Sequence, residues 1–376
     1  PPPAPAKPDT IAPDAAVAKD TTGKKEAKKG PKPYDKVITE AAVSMHGLFS
    51  VHLVEDKYYL EIPDSLFGAE IMSVTRMAKT PTGAGYGGEQ ANRQVIRFEM
   101  GPEDKVFLRA VAYRNVSNDT LQPIYKAVRN SNVDPIAGAF DIKSIRKDTS
   151  VVIEVTDFFK ENNTVFAMSP LAMQRYNIAD LQKDRSYIES MRVYPINLEV
   201  RSVKTFKVKP PSLNGGGSES RTVNLPGGMD AGVVTFELNT SLVLLPRTPF
   251  RKRFFDPRVG YFATWRTVYD DDQQRAEDET LAVRWRLEPK NNADMLRQQK
   301  GEKIEPAKPI VFYLDPATPK KWRSYLIKGV QDWQPAFEQA GWKNAIQARE
   351  WPEGDSTMSL EDARYSVIRY FASDIQ

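Results

Sequence analysis

His46 and His52 are the only imidazoles in this 376-residue chain, and it has no cysteine. Without thiols there are no disulfides, no thiolate nucleophile and no Cys-ligated zinc. A zinc-protease helix needs two histidines at i and i+4 with a glutamate between them, plus a third ligand. His46 and His52 instead stand six apart in a stretch that reads as strand, with Gly47 between them. Glu55 is close enough in sequence to join them, but ordinary strand histidines are the expectation. A Ser–His–Asp centre would have to draw on the same two residues, and no G-x-S-x-G elbow is present. The sequence therefore assigns no catalytic, cofactor-binding or metal-ligating residue to this chain.

Three further patterns carry possible chemistry. Asp270, Asp271 and Asp272, with Glu277, Asp278 and Glu279 nearby, form the densest acid cluster. It lacks the ligand spacing and turn glycine of a calcium loop, so a solvated hairpin tip is expected. Gly83–Gly88 (GAGYGG) matches G-x-G-x-x-G, but Gln94–Met100 (QVIRFEM) after it reads as strand. No helix N-terminus would then meet a pyrophosphate, and a hairpin loop is the expectation. Arg247–Arg253 (RTPFRKR), followed by Phe254 and Phe255, is the one basic–aromatic patch. It reads as an interdomain linker with packed aromatics, or as an exposed site for proteolytic processing. A carboxylate pair is not legible in sequence, because the fold sets its spacing.

Charge excludes one class. The net charge is +4, and the first 36 residues hold eight lysines against five acids. The body is thus close to neutral and has no field for steering nucleic acid, so no nucleic-acid partner is expected.

The elements that must position these residues fall into four stretches. Residues 1–33, rich in Pro, Ala and Lys with no aromatic residue, read as a disordered tether, either a spacer from a membrane surface or a plain terminus. Residues 34–80 read as a small β region and 81–255 as a β-rich, prodomain-like accessory domain. Their dominant period is two: Val234, Phe236, Leu238, Leu242 and Leu244 oppose Thr235, Glu237, Asn239 and Ser241. Tyr58, Leu60 and Ile62 likewise alternate with Lys57, Tyr59 and Glu61. Half-buried antiparallel strands produce this pattern. Turns are expected at 101–104, 146–149 and 214–220, and a short helix from Asp157.

Composition shifts near residue 256, after which all six tryptophans lie. Leu281–Leu287 alternates as a strand, and Ile310–Leu314 (IVFYL) is apolar on both faces, as in a covered sheet. A long helix follows, with Thr318 as cap, Pro319 in the first turn and Gly341 as the stop. Pro335 should kink it. Asn344–Glu350 and Tyr365–Phe371 read as strands, and Ser359–Asp362 as a capping box. Strand, helix, strand implies a right-handed βαβ crossover. The fold class is α+β: antiparallel strands first, then the opening βαβ part of a second domain. No apolar run reaches membrane-spanning length, so no transmembrane segment is expected.

Ile310–Ile346 and Glu361–Ser373 resemble the start of the catalytic domain in large exported bacterial zinc-dependent metallopeptidases of metzincin-like type. Lys32–Thr39, Asp56–Leu66, Asn130–Ile145, Asp184–Phe206 and Phe255–Phe262 look like that family's β-rich N-terminal regions. The resemblance implies a zinc-binding H-E-x-x-H-x-x-G-x-x-H helix later in the chain, with ligands outside these residues. It implies a peptide or protein substrate for the full-length enzyme and an exported location, in the periplasm, at the outer-membrane surface or outside the cell, with a lipoprotein as one form. Residues 256–376 would be an incomplete start of the metallopeptidase domain. The front, without start Met, signal peptide or lipidation Cys, reads as trimmed, and a C-terminal continuation is expected. The chain alone is then expected to be inactive and to bind no zinc. The alternative is a non-enzymatic, tethered β-rich module that binds a peptide, glycan or protein. A carboxylate-pair hydrolase is a third reading.

Overall fold

The computed structural model describes residues 30–147, 149–209 and 225–371. Most of the expected tether and the expected turn at 214–220 lie outside the described residues. The chain is α+β and rich in strand, as the alternation predicts. Twelve strands build one antiparallel sheet. They are β1 (Val43–His46), β2 (Ser50–Val54), β3 (Lys57–Pro63), β4 (Glu70–Lys79), β5 (Gln90–Gly101), β6 (Lys105–Val111), β8 (Ile136–Arg146), β9 (Ser150–Glu154), β10 (Ile178–Leu181), β11 (Tyr187–Val193), β12 (Asn197–Val208) and β13 (Val233–Leu244). Their spatial order is β1-β2-β3-β9-β8-β6-β5-β4-β13-β12-β10, with β11 also on β12.

The sheet curls until its two sides approach. The Leu48 amide donates to the Tyr194 carbonyl at 2.8 Å. A Cβ at Gly47 would stand 2.7 Å from that same oxygen, so only glycine fits this approach. The enclosed core runs from Phe49, Leu60 and Ile71 through Ile96, Leu108 and Ile153 to Leu198 and Leu242. A second cluster gathers Met77, Tyr176, Phe206, Phe236 and Leu238. Each such large apolar side chain contributes about 1.5–3 kcal/mol when fully buried.

The sheet crosses the division expected at residue 80. β4, from the first stretch, pairs with β5 on one side and β13 on the other. β3 pairs with β9. Residues 34–80 and 81–255 therefore share one sheet and one core, because β4 has no neighbour within its own stretch.

Between β6 and β8 the chain makes an excursion through β7 (Asn115–Val116) and α1 (Pro123–Ser131). β7 joins β14 (Ala263–Val268) and β15 (Glu277–Ala282) in a three-stranded sheet. Among the described residues, the other α-helices before residue 310 are short: α2 (Thr156–Lys160), α3 (Pro170–Arg175), α4 (Pro226–Ala231) and α5 (Asn292–Gln299). The strand expected over Leu281–Leu287 ends at Ala282.

The last unit is parallel throughout. β16 (Ile310–Leu314) lies between β17 (Ile346–Glu350) and β18 (Ser366–Ile368), parallel to both. The connection from β16 to β17 carries α6 (Lys320–Gln331) and α7 (Gln334–Gln339). The expected single kinked helix is broken in two, with Pro335 in the first turn of α7, where its missing N–H costs nothing. α6 starts after Pro319 with no side-chain cap, so Thr318 does not serve as one. Gly341, at φ 88°, ends α7 as expected. Ser359 caps a turn rather than a helix: its hydroxyl accepts from the Glu361 amide at 3.2 Å. No helix among the described residues is long and apolar enough to cross a membrane.

Candidate functional site

The polar side of β12 and β13 is where the two units meet. Glu199 and Arg201 project from β12, and Glu237, Asn239 and Ser241 from β13. Ladder pairs Glu199–Ser241 and Arg201–Asn239 bring them side by side. Alternation leaves this face open to water, yet Glu199, Glu237 and Ser241 are buried, because the segment around β18 lies over them. The Asn197 amide donates to the Glu361 carbonyl at 2.9 Å, and the Asn197 side-chain oxygen accepts from the Ala363 amide at 3.0 Å. Arg201 Nη2 donates to Glu361 Oε1 at 2.9 Å. The Tyr194 hydroxyl meets the Ser359 hydroxyl at 2.8 Å.

A cleft of about 490 Å³ remains between the two faces, a size that admits a small ligand. Its floor is Glu199, Arg201, Glu237, Asn239 and Ser241, and its wall carries Glu361, Arg369 and Phe371. Glu199 Oε1 accepts from Asn197 at 2.6 Å, and Oε2 accepts from Asn239 at 2.6 Å and from Ser241 at 2.7 Å. Burial pushes the Glu199 carboxyl up to about 7 against these three bonds, and the charge on Glu361 adds to the rise. A carboxyl that exchanges its proton near neutrality inside a cleft has the property required of a general acid or base. Glu237 is held by Lys79 and lies 3.3 Å from Arg201.

The glycine-rich motif belongs to this site. Gly83–Gly88 lies in the connection between β4 and β5, as the hairpin reading expects. Phe371 rests on it: a Cβ at Gly87 or Gly88 would come within 2.6–2.8 Å of the Phe371 ring. Gly88 also sits at φ 91°. These glycines make room for an aromatic ring, not for a phosphate.

The histidines occupy another face. Ser44 Oγ lies 2.7 Å from His52 Nδ1, and His52 Nε2 lies 2.9 Å from Glu61 Oε2. This Ser–His–Glu line was missed in the sequence, since Glu61 alternates onto the face that should be solvated. Ser44 is on the exposed first strand, while Tyr34 and Arg146 close over Glu61. Tyr34 Oη donates to Glu61 at 2.8 Å, and the Arg146 guanidinium sits 5.1 Å above the Tyr34 ring. The arrangement anchors the 34–38 turn over the sheet. His46 bonds Ser50 instead, at 2.9 Å. Glu55 is not among the partners of either imidazole's ring nitrogens. Among the described residues no group of three or more His, Cys, Asp or Glu is placed to hold a metal ion.

Burial raises the Glu61 carboxyl, but hydrogen bonds from His52, Ser150 and Tyr34 outweigh it and hold the group at about 2. A depressed folded pKa stabilises above the ordinary value of 4.5, and that stability is lost as pH falls toward 2. Glu61→Gln is expected to lower stability at pH 7 by about 2–3 kcal/mol, with the deficit shrinking below pH 4. Urea melts of both proteins at pH 7 and pH 3 check it.

The acid cluster disperses. Asp271 accepts from the Ile124 amide in the first turn of α1, Asp278 bonds Thr267, and Glu279 pairs with Arg266 and Lys252. The basic stretch runs beside β15: Ala282 donates to the Arg253 carbonyl, and Arg284 stacks 4.0 Å over Phe250. Phe254 is exposed, so the aromatics of this stretch are only partly packed.

The sequence profile of the family described as "Domain of unknown function (DUF5117)" matches residues 88–290, more than half of the chain. The chain belongs to this family. In this DUF5117 chain a second profile, "Domain of unknown function (DUF5118)", matches residues 31–80. The two profiles meet near the division read from the sequence, although a single sheet spans both. No curated protein and no solved structure matches the chain. The DUF5117 match supplies all five floor residues, whereas Glu361, Arg369 and Phe371 lie beyond it.

Proposed function

We propose that the chain is the β-rich accessory region, with the opening of the catalytic unit, of an exported zinc-dependent metallopeptidase. The observation that supports this reading is the unit at 310–368. It is a purely parallel sheet with a helical crossover, seated on the polar face of the large sheet through Glu361, Asn197 and Arg201. Parallel strands joined through a helix belong to α/β units with covered faces. Here Trp322, Tyr325 and Trp333 on and beside α6 are half exposed or more. An unburied aromatic face of that kind suits an element that packs against further polypeptide. The zinc and the residue that activates its water would come from a later H-E-x-x-H helix, and the residues in hand would scaffold the cleft and present substrate to it.

The purified 376-residue chain is expected to carry no stoichiometric zinc and to leave casein intact. Metal analysis and a casein assay check both, and strong EDTA-sensitive cleavage by this chain would overturn the reading. If the coding frame runs on into H-E-x-x-H, the longer protein is expected to bind one zinc and cleave casein.

The cleft favours a second reading, a tethered surface module that binds a peptide, glycan or protein without chemistry. A coding frame with no zinc motif beyond Gln376 would select it.

A further inference from the structure

A second cleft, of about 590 Å³, opens where the excursion between β6 and β8 leaves the large sheet. Four arginines line it: Arg97, Arg109, Arg114 and Arg129. Only two acids, Glu99 and Asp134, face them there. Both acids are already engaged. Glu99 takes Arg97 through one oxygen at 2.7 Å and Arg109 through the other at 2.9 Å. Asp134 takes Arg97 at 3.3 Å and the Ala112 amide at 3.1 Å, and its backbone carbonyl holds Arg109 at 2.7 Å.

Arg114 and Arg129 have no ion pair among the described residues. Arg114 is held instead by an aromatic ring, at 4.5 Å over Trp265, while Arg129 lies 6.0 Å from the Tyr125 ring, at the outer limit of such a contact. A ring face fixes the plane of a guanidinium and leaves its N–H edge outward, the geometry that receives an oxyanion through two parallel hydrogen bonds. Asn115 and Asn132 add two amides to the lining. Asn115 donates to Asn132 at 2.9 Å, and Asn132 donates to the Val128 carbonyl at 2.7 Å. The lining thus carries two positive charges in excess, one of them on the pre-oriented Arg114 guanidinium, in a space far larger than one ion.

We propose that this cleft binds a small ligand through a carboxylate or phosphate group, with Arg114 and Arg129 as the two anion-holding residues. The site is separate from the Glu199 cleft and does not depend on the metallopeptidase reading. The remaining volume takes the body of the ligand against Tyr125 and the asparagine amides.

Calorimetric titration of the full chain with inorganic phosphate, glucuronate and glucose tests the proposal. Saturable binding of phosphate or glucuronate below about 10 mM is expected, weakening as sodium chloride is raised, with no heat from glucose. The anion that binds more tightly identifies the source of the group. Arg114→Gln and Arg129→Gln are each expected to weaken binding roughly ten-fold, and together roughly a hundred-fold. Both side chains belong to exposed residues, and an unchanged urea midpoint for the double variant shows that the fold is intact. Absence of binding for both anions, or binding unaffected by the double substitution, overturns the proposal.

Discussion

Lys204→Met is expected to destabilise the protein by about 3–5 kcal/mol, the largest effect of any single substitution considered. Lys204 lies in β12 with no exposure to solvent. Its ammonium donates to three carbonyls at the end of α2: Phe159 at 2.8 Å, Lys160 at 3.0 Å and Glu161 at 2.7 Å. These are the groups a helix leaves unpaired at its C-terminus, where its dipole also favours a cation. Burial pulls the ammonium down to about 7, with the Glu161 charge opposing. Methionine fills nearly the same volume, so no cavity term enters, but the three carbonyls lose their donor. Relief of the buried charge offsets part of the loss, which is why the figure stays below the sum of three charged hydrogen bonds. Guanidinium melts at pH 7 measure it, and a loss under about 1 kcal/mol would show that water replaces the ammonium.

Glu199→Gln is expected to act in the opposite direction above neutrality. The folded carboxyl titrates at about 7 against an ordinary 4.5. The folded state therefore binds the proton more tightly, and stability falls as pH rises from 4.5 to 7, by about 3 kcal/mol in all. Glutamine removes this titration. Its oxygen can keep the bond from Asn197, whose orientation is fixed by the Glu361 carbonyl and the Ala363 amide. Its NH₂ then faces Asn239 and Ser241, and a flip of the Asn239 amide supplies an acceptor. The variant should match the parent near pH 4 and exceed it by about 3 kcal/mol at pH 8. Parallel stability curves for the two proteins across that range would reject the assignment.

The alternation in β13 and the apolar run of β16 were readable because each strand's own residues determine which face is apolar. What covers the other face was not. Glu237 and Ser241 belong to the polar half of a perfect period-two pattern, and the covering residues, Glu361 and Phe371, lie more than a hundred positions away. Glu199 is a single acid in a strand until Asn239, Ser241 and Glu361 surround it. Glu61 followed the same course, since its partners Tyr34, His52 and Ser150 come from three separate elements. The Arg-lined cleft had no linear signature either, because its arginines are spread over more than thirty positions on two strands, a connection and a helix. Pro335 is an obstacle inside a helix, but a proline at the start of one is at rest, so the chain divides there instead of bending.

The position of β4 governs the order of assembly. One neighbour, β5, follows directly through the Gly83–Gly88 hairpin, but the other, β13, is drawn from far along the chain, and Thr75 meets Thr240 across 165 residues at 2.9 Å. Loop closure on that scale is slow, and no early hairpin can finish the sheet. As the polypeptide emerges from the ribosome, the strand before residue 80 must wait with its edge open until about two-thirds of these residues have been made.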